Sequence, residues 1–234
     1  MKPFEYDIEN IRILTFEMLD LVKDQIHLTK EALLTSDPEL SGEIMRKEKR
    51  VNSYEISIDR EIEDFLALQA PVASDLRFAM AVLKISSSLE RIGDHAYRIS
   101  SYVFEDDFKI TKDIVEILHI PTMFDEIDDM LINITDAFES GDIQLAKRVF
   151  KQDKFLNKIN KKLPSIVQDY QKKSKKTDVE YLIYLSRIVG KLERCGDMIK
   201  NIAEEIIFYY ESKVIKHRKK NKQITRKLEK SENN

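Results

Sequence analysis

The segment Leu89-Glu90-Arg91-Ile92-Gly93-Asp94 returns as Leu192-Glu193-Arg194-Cys195-Gly196-Asp197, with one exchange in the six positions. The offset of 103 residues holds without a gap from Asp75 on Asp178 to Ile99 on Ile202. Around the first copy Phe78, Val82, Ile85, Leu89, Ile92, Ala96, Ile99 and Val103 recur at threes and fours. Around the second, Tyr181, Leu185, Ile188, Leu192, Cys195, Ile199, Ile202 and Ile206 do the same. That period belongs to an amphipathic helix with one apolar stripe. A chain that repeats a long helix with its stripe in register repeats what the stripe packs against, so the sequence describes an internal duplication.

Capping and breaking residues divide the chain into six helical segments. The first runs from about Glu5 to Leu34. Ser36-Asp37-Pro38-Glu39 reads as the start of the second, with a capping side chain and proline in the first turn. That helix runs to Ala70, where Pro71 stops it, and Ser74-Asp75 is expected to cap a third reaching about Phe104. Glu105-Asp106-Asp107 is a polar break. A fourth pattern is interrupted by Pro121 and ended by Gly141. A fifth starts at Asp142 and carries Pro164, read as a kink. Lys172 to Lys176 is a polar link, and Thr177-Asp178 is expected to cap the sixth. With five Gly and five Pro in 234 residues, few tight turns are available. The expected fold class is all-α: two tandem, homologous three-helix bundles. Their bounds are residues 1–106 and 107–212, with a tail at 213–234.

The charge is uneven. Lys213 to Asn234 hold nine Lys or Arg against two Glu, so a net −3 for the chain and +7 for the tail leave −10 for the body. Val214, Ile215, Ile224 and Leu228 are the tail's apolar residues, too few for it to fold alone. It is expected to fray and to contact anionic membrane surfaces. Nucleic acid is not expected as a partner, because the acidic body repels a phosphate backbone. A single cysteine, Cys195, excludes an internal disulfide framework and a four-cysteine zinc site. No signal-peptide core and no run of roughly 18 apolar residues is present, so the cytoplasm is the expected location.

Glu90 and Asp94 are one helical turn apart, and Glu193 and Asp197 repeat them. By helical projection both pairs point away from the apolar stripe, so core packing does not explain their recurrence. The second helix carries Glu48, Asn52, Glu55 and Asp59 along one flank; the matching positions of the fifth are Asp153, Asn157, Asn160 and Pro164. Oxygen ligands of this kind suit Mg, Mn, Ca or ferric iron. The competing reading is a solvated acidic face: Asp20 with Asp24 and Asp125 with Asp129 have the same spacing. Arg91 and Arg194 can brace the neighbouring acids instead. Gly93 and Gly196 sit mid-helix, at a cost of about 1 kcal/mol each relative to Ala. Close approach of another helix explains them structurally, and room for a ligand is the functional alternative. Cys195 takes the place of Ile92 on the stripe and reads as a small buried hydrophobe. Glu116-x-x-His119 is half of a di-iron motif with no second half, so it reads as surface. No phosphate-cradling glycine loop or Ser-His-Asp arrangement is apparent, and no enzyme is expected.

Gln69-Ala70-Pro71-Val72-Ala73-Ser74-Asp75-Leu76-Arg77, followed by Leu89 to Ala96 and by the second copy at Leu192 to Asp197, resembles the PhoU family over residues 5–211. The resemblance implies two tandem three-helix bundles, a homodimer, and regulation without catalysis. The implied function is negative regulation of the phosphate-starvation response and modulation of phosphate uptake. It would act by contact between the ATPase subunit of a phosphate ABC transporter and a membrane sensor histidine kinase. The alternatives are a PhoU-like accessory of another ion or phosphate transporter, and a metal-binding or metal-storage helical protein. The resemblance also implies metal ions (iron, zinc, manganese or magnesium). Carried over by position, their ligands are Glu90, Asp94, Glu193 and Asp197, with Glu48, Glu55, Asp59 and Asp153 from the preceding helices. Asn52 and Asn157 stand where an acid would complete the earlier motifs, and Asn160 and Pro164 weaken the second copy further.

Overall fold

A computed structural model describes residues 3–105, 110–173 and 179–212. These form seven helices: α1 (Pro3–Thr35), α2 (Pro38–Gln69), α3 (Ala73–Glu105), α4 (Lys112–Ile117), α5 (Ile120–Ser140), α6 (Ile143–Lys173) and α7 (Val179–Glu211). No strand occurs among the described residues. The first repeat is the bundle α1–α3; in the second, α5–α7 form the matching bundle and α4 leads into it.

Local chemistry sets the boundaries. Asp37 caps α2, its side chain accepting from the Glu39 N–H at 2.8 Å, and Pro38 fills the first turn. Ala70 closes α2 with φ 43°, and Pro71 follows. Gly141 ends α5 at φ 75°, and Asp142 caps α6 by accepting from Gln144 N–H at 2.8 Å. Two expectations change. The fourth pattern is two helices, because His119 adopts φ 54° and α5 starts at Ile120 with Pro121 in its first turn. Ser74 and Asp75 lie inside the first turn of α3, which begins at Ala73. The helix α6 carries Pro164 inside it. The cap at Thr177-Asp178, the break at Asp106-Asp107 and the tail from Lys213 fall outside the described residues.

All eight stripe residues of α3 are buried, as are those of α7 from Leu185 onwards. The two bundles also share one continuous core. The helices α3 and α7 lie against each other antiparallel: Phe78 meets Tyr209 at 5.6 Å, Lys84 pairs with Glu205 at 3.2 Å, and Tyr102 meets Tyr184 at 5.0 Å. The helices α1 and α5 make the second seam. Phe16 packs on Phe138 at 5.4 Å, and the Arg12 guanidinium lies 5.2 Å from the Phe78 ring and 5.5 Å from Phe138 while donating to the Tyr209 hydroxyl. The third helix of each repeat thus has two covered faces, one on its own bundle and one on the other repeat.

Candidate functional site

Each recurring acidic pair sits where a third helix packs against the helix before it. In the first repeat the glycine between the acids explains the packing. A methyl group added at Gly93 would stand 2.8 Å from Glu48 Oε2, 2.9 Å from Gln25 Oε1 and 3.3 Å from Val51 Cγ1. Only glycine lets α2 and α1 bring these polar ends so close. Gln25 is fully buried, and its Nε2 donates to Glu48 Oε2 at 3.1 Å, while its Oε1 has no partner.

The carboxylates of this seam act on one another. Burial, then the charges of Glu90 and Asp94, push the Glu48 carboxyl up, against the hydrogen bonds from Gln25 and Asn52. Burial, then Glu90 and Asp59, raise Glu55, which Ser87 steadies by a hydrogen bond. Burial and Asp94 raise Glu90, with Arg91 opposing. Asp94 is held from outside by Arg98, whose Nε donates to both carboxylate oxygens at 2.9 and 2.8 Å. Glu48, Glu55, Glu90 and Asp94 therefore share one seam. Asp59 lies at its outer end, where burial and Glu63 raise its carboxyl. Glu90 and Asp94 do not point straight into solvent as the projection implies; both are half-buried, because α2 covers that flank.

In the second repeat the geometry is similar and the chemistry differs. A methyl group at Gly196 would run into Leu156, with Asp153 Oδ1 at 3.7 Å. Asp153, Glu193 and Asp197 are brought together, and burial raises both Asp153 and Glu193. Lys200 reaches into the group: its Nζ donates to Asp153 Oδ2 at 3.1 Å and to Asp197 Oδ1. Asn160, in the place of Glu55, hydrogen-bonds Glu193 as a neutral amide. Asn157 turns its amide to the Asp153 carbonyl at 3.0 Å. Lys200 also lines a cleft of about 610 Å³ between α3 and α7, with Lys84, Ser87, Arg91 and Glu204.

The donor sets answer differently to a metal ion. Among the described residues, no three His, Cys, Asp or Glu side chains converge as a ready-made metal shell. The first repeat nevertheless offers oxygen donors alone along its seam, mutually repelling carboxyls, and a buried amide oxygen without a partner. That chemistry fits a hard cation. The second repeat already holds an ammonium between two of its three carboxylates, and it does not fit one.

Sequence reasoning passes over Gln25, Arg98 and Lys200. A signal exists for two of them. Gln25 interrupts the run Met18, Val22, Ile26 and Leu33 on the buried face of α1, and Lys200 follows Asp197 by three residues where the first copy has Tyr97. Cys195 is fully buried, and burial pushes its thiol up to about 12, so it is no nucleophile. Glu116 and His119 are exposed.

A profile of the PhoU domain matches the chain twice, at residues 15–103 and 120–206. Among curated relatives, a phosphate-specific transport system accessory protein PhoU homolog of Zymomonas mobilis is 31% identical over 227 residues, covering 96% of this chain and 93% of its own. A homolog so named from Borreliella burgdorferi is 32% identical over 211 residues, covering 82% of this chain and 92% of its own. Among solved structures, PhoU from Pseudomonas aeruginosa superposes with a TM-score of 0.83 at 26% identity, over 90% of this chain and all of the other.

Proposed function

The chain belongs to the PhoU family, and from that premise we propose that it holds down the phosphate-starvation response and tempers phosphate uptake when phosphate is plentiful. It is an accessory, regulatory protein of phosphate transport and not an enzyme. The finer reading is action by contact: helical faces engage the ATPase subunit of a phosphate ABC transporter and a membrane sensor histidine kinase. The observation that carries the reading is the twofold domain match over most of the chain. Exposed apolar residues support a contact mechanism. Leu68 and Val72 are 78% and 69% exposed at the α2–α3 turn, with Leu76 and Met80 on the next turns of α3. Val179 and Ile183 repeat Leu76 and Met80 in the second copy. Among the described residues no helix is long and apolar enough to cross a membrane.

The same reading assigns the seam of Glu48, Glu55, Glu90 and Asp94, with Asp59 at its end, to a hard cation such as manganese, magnesium or ferric iron. Bound there, the ion would supply positive charge to carboxylates that otherwise repel one another; the residues themselves would hold it and brace α2 against α3.

The test is genetic and biochemical. In cells lacking this chain, a starvation-promoter reporter should switch on in phosphate-rich medium. Tagged chain should co-purify with the transporter ATPase, and changing Leu68 and Val72 to Ser should weaken the capture. A reporter that stays silent without the chain, together with no capture of the ATPase, would sink the proposal. For the cation, loading with Mn²⁺ should fall on Glu90→Ala with Asp94→Ala. Equal loss from the matching changes at Glu193 and Asp197 would count against the assignment.

A further inference from the structure

We propose that the second repeat carries its own cation: the Lys200 ammonium occupies the place between Asp153 and Asp197 that a metal ion would otherwise take, so that only the first repeat of this chain is open to exogenous metal. The proposal builds on the cation reading of the first repeat but concerns different residues, and its test removes the first seam beforehand.

Two ion pairs carry it. Lys200 Nζ lies 3.1 Å from Asp153 Oδ2 and also bonds Asp197 Oδ1. One partner is on its own helix three residues away, a spacing that places both on one face. The other is on α6, so the ammonium clamps α7 to α6 as a bridging ion would. Asp153 is nearly inaccessible, with its side chain 9% exposed, and the Lys200 side chain is 25% exposed. A carboxylate so placed needs a partner: removing one member of a buried pair leaves an uncompensated charge.

The substitutions around it point the same way. The first repeat has Tyr97 where the second has Lys200, and Gln25 where the second has Met130. Asn160 stands in for Glu55 and donates to Glu193, where a carboxylate would repel it. Lys200 in place of Tyr97 neutralises the second site internally, Asn160 in place of Glu55 removes one of its charges, and Met130 in place of Gln25 removes an amide oxygen that a metal could use. In the first repeat Arg98 holds Asp94 from the exposed side, Arg91 acts on Glu90 only through its charge, and among the described residues no Lys or Arg forms an ion pair with Glu48, Glu55 or Glu90. Entry of a divalent ion into the second site would require both Lys200 pairs to break.

The test uses the full chain with Glu90→Gln and Asp94→Asn, so that the first seam is silent. Mn²⁺ binding is measured by calorimetry and by the loss of the free-ion resonance signal, and folding by circular dichroism and thermal melting. The expected result is no Mn²⁺ uptake by this parent. Adding Lys200→Ala should create a Mn²⁺ site that Asp197→Asn abolishes, lower the melting temperature in metal-free buffer, and let Mn²⁺ restore it. Lys200→Gln, which keeps a donor without the charge, serves if the alanine chain loses its helical signal. Mn²⁺ binding by the parent that disappears with Asp197→Asn overturns the proposal. So does a folded Lys200 variant that takes up no Mn²⁺, whatever its stability.

Discussion

His95 should make this protein sensitive to mild acid, and its replacement by Met should remove much of that sensitivity. The residue is 8% exposed on α3, and neither ring nitrogen has a hydrogen-bond partner. Burial, with the nearby charge of Lys191 from the other repeat and of Arg194 and Arg91, lowers its pKa from 6.5 to about 4; Asp94, 3.8 Å from Nδ1, opposes this only in part. The native ring stays neutral while the unfolded ring takes a proton. Stability is therefore fully present above about pH 6.5 and is lost as pH falls from there towards about 4. One unit of displacement corresponds to about 1.4 kcal/mol, so the loss from this residue at about pH 5 is about 2 kcal/mol.

The assay is urea denaturation of the wild type and His95→Met at about pH 7.5 and about pH 5 in one buffer. Methionine is the substitution because Met198 occupies the homologous place on α7 and packs on the core. Titrations of the carboxylates and of the other histidines occur in both chains and cancel in the comparison. On going to the lower pH the wild type should lose about 2 kcal/mol more than the variant. Equal losses would refute the reasoning, since they would mean that His95 titrates alike in the folded and unfolded states.

Gly196→Ala should destabilise by about 1 kcal/mol, because crowding Leu156 outweighs the helical gain, whereas Gly190→Ala, where an added methyl meets nothing within 4 Å, should stabilise by about as much; denaturation midpoints that move in the same direction for both would refute the packing argument. Gln25→Met, the residue of the second repeat, removes the donor to Glu48 and should cost about 2 kcal/mol at neutral pH. Protonating Glu48 should recover most of that cost, so an undiminished loss at about pH 4.5 would show that it comes from packing alone. The native carboxyls of Glu48, Glu55 and Glu90 lie above the ordinary 4.5, so their contribution is greatest below that value and is lost as pH rises through the raised range. Glu90→Gln should thus raise the neutral-pH melting temperature in metal-free buffer while removing its response to Mn²⁺; a lower melting temperature or an intact response would contradict this.

The architecture was legible because it rests on period and repetition. A stripe such as Phe78 to Val103 survives every local uncertainty, and a gap-free copy of it at Tyr181 to Ile206 leaves few alternatives. Breaks were legible where a residue's backbone decides, as at Gly141. They were misread where the deciding residue is ordinary: nothing in His119 announces a left-handed backbone. The acids were found by recurrence, but their surroundings were not. A single stripe cannot reveal that α3 is covered on a second face, so the burial of His95 was invisible. Lys200 pairs with Asp153 on another helix, and only the packing of α6 on α7 brings them together. A projection of one helix likewise sends Glu90 to solvent, because α2 is absent from it.

The asymmetry between the repeats is the strongest guide to where ligand chemistry resides. The buried polar residues Thr15, Gln25, Thr29 and Ser41 of the first repeat correspond to Ile120, Met130, Ile134 and Ala146 of the second, all fully buried. The hydroxyls are inexpensive, since Thr15 donates to the Ile11 carbonyl and Thr29 to the Gln25 carbonyl, each at 2.7 Å. Gln25 is not, because a buried oxygen without a partner costs about 1–3 kcal/mol. The second repeat demonstrates that the same fold closes with methionine there. In the first repeat the same change would also remove the donor to Glu48. The first keeps its glutamine beside Glu48, keeps four acids on one seam, and has no lysine in the place of Lys200. On the reading proposed above, the first repeat would take its positive charge from a bound cation, while the second has Lys200.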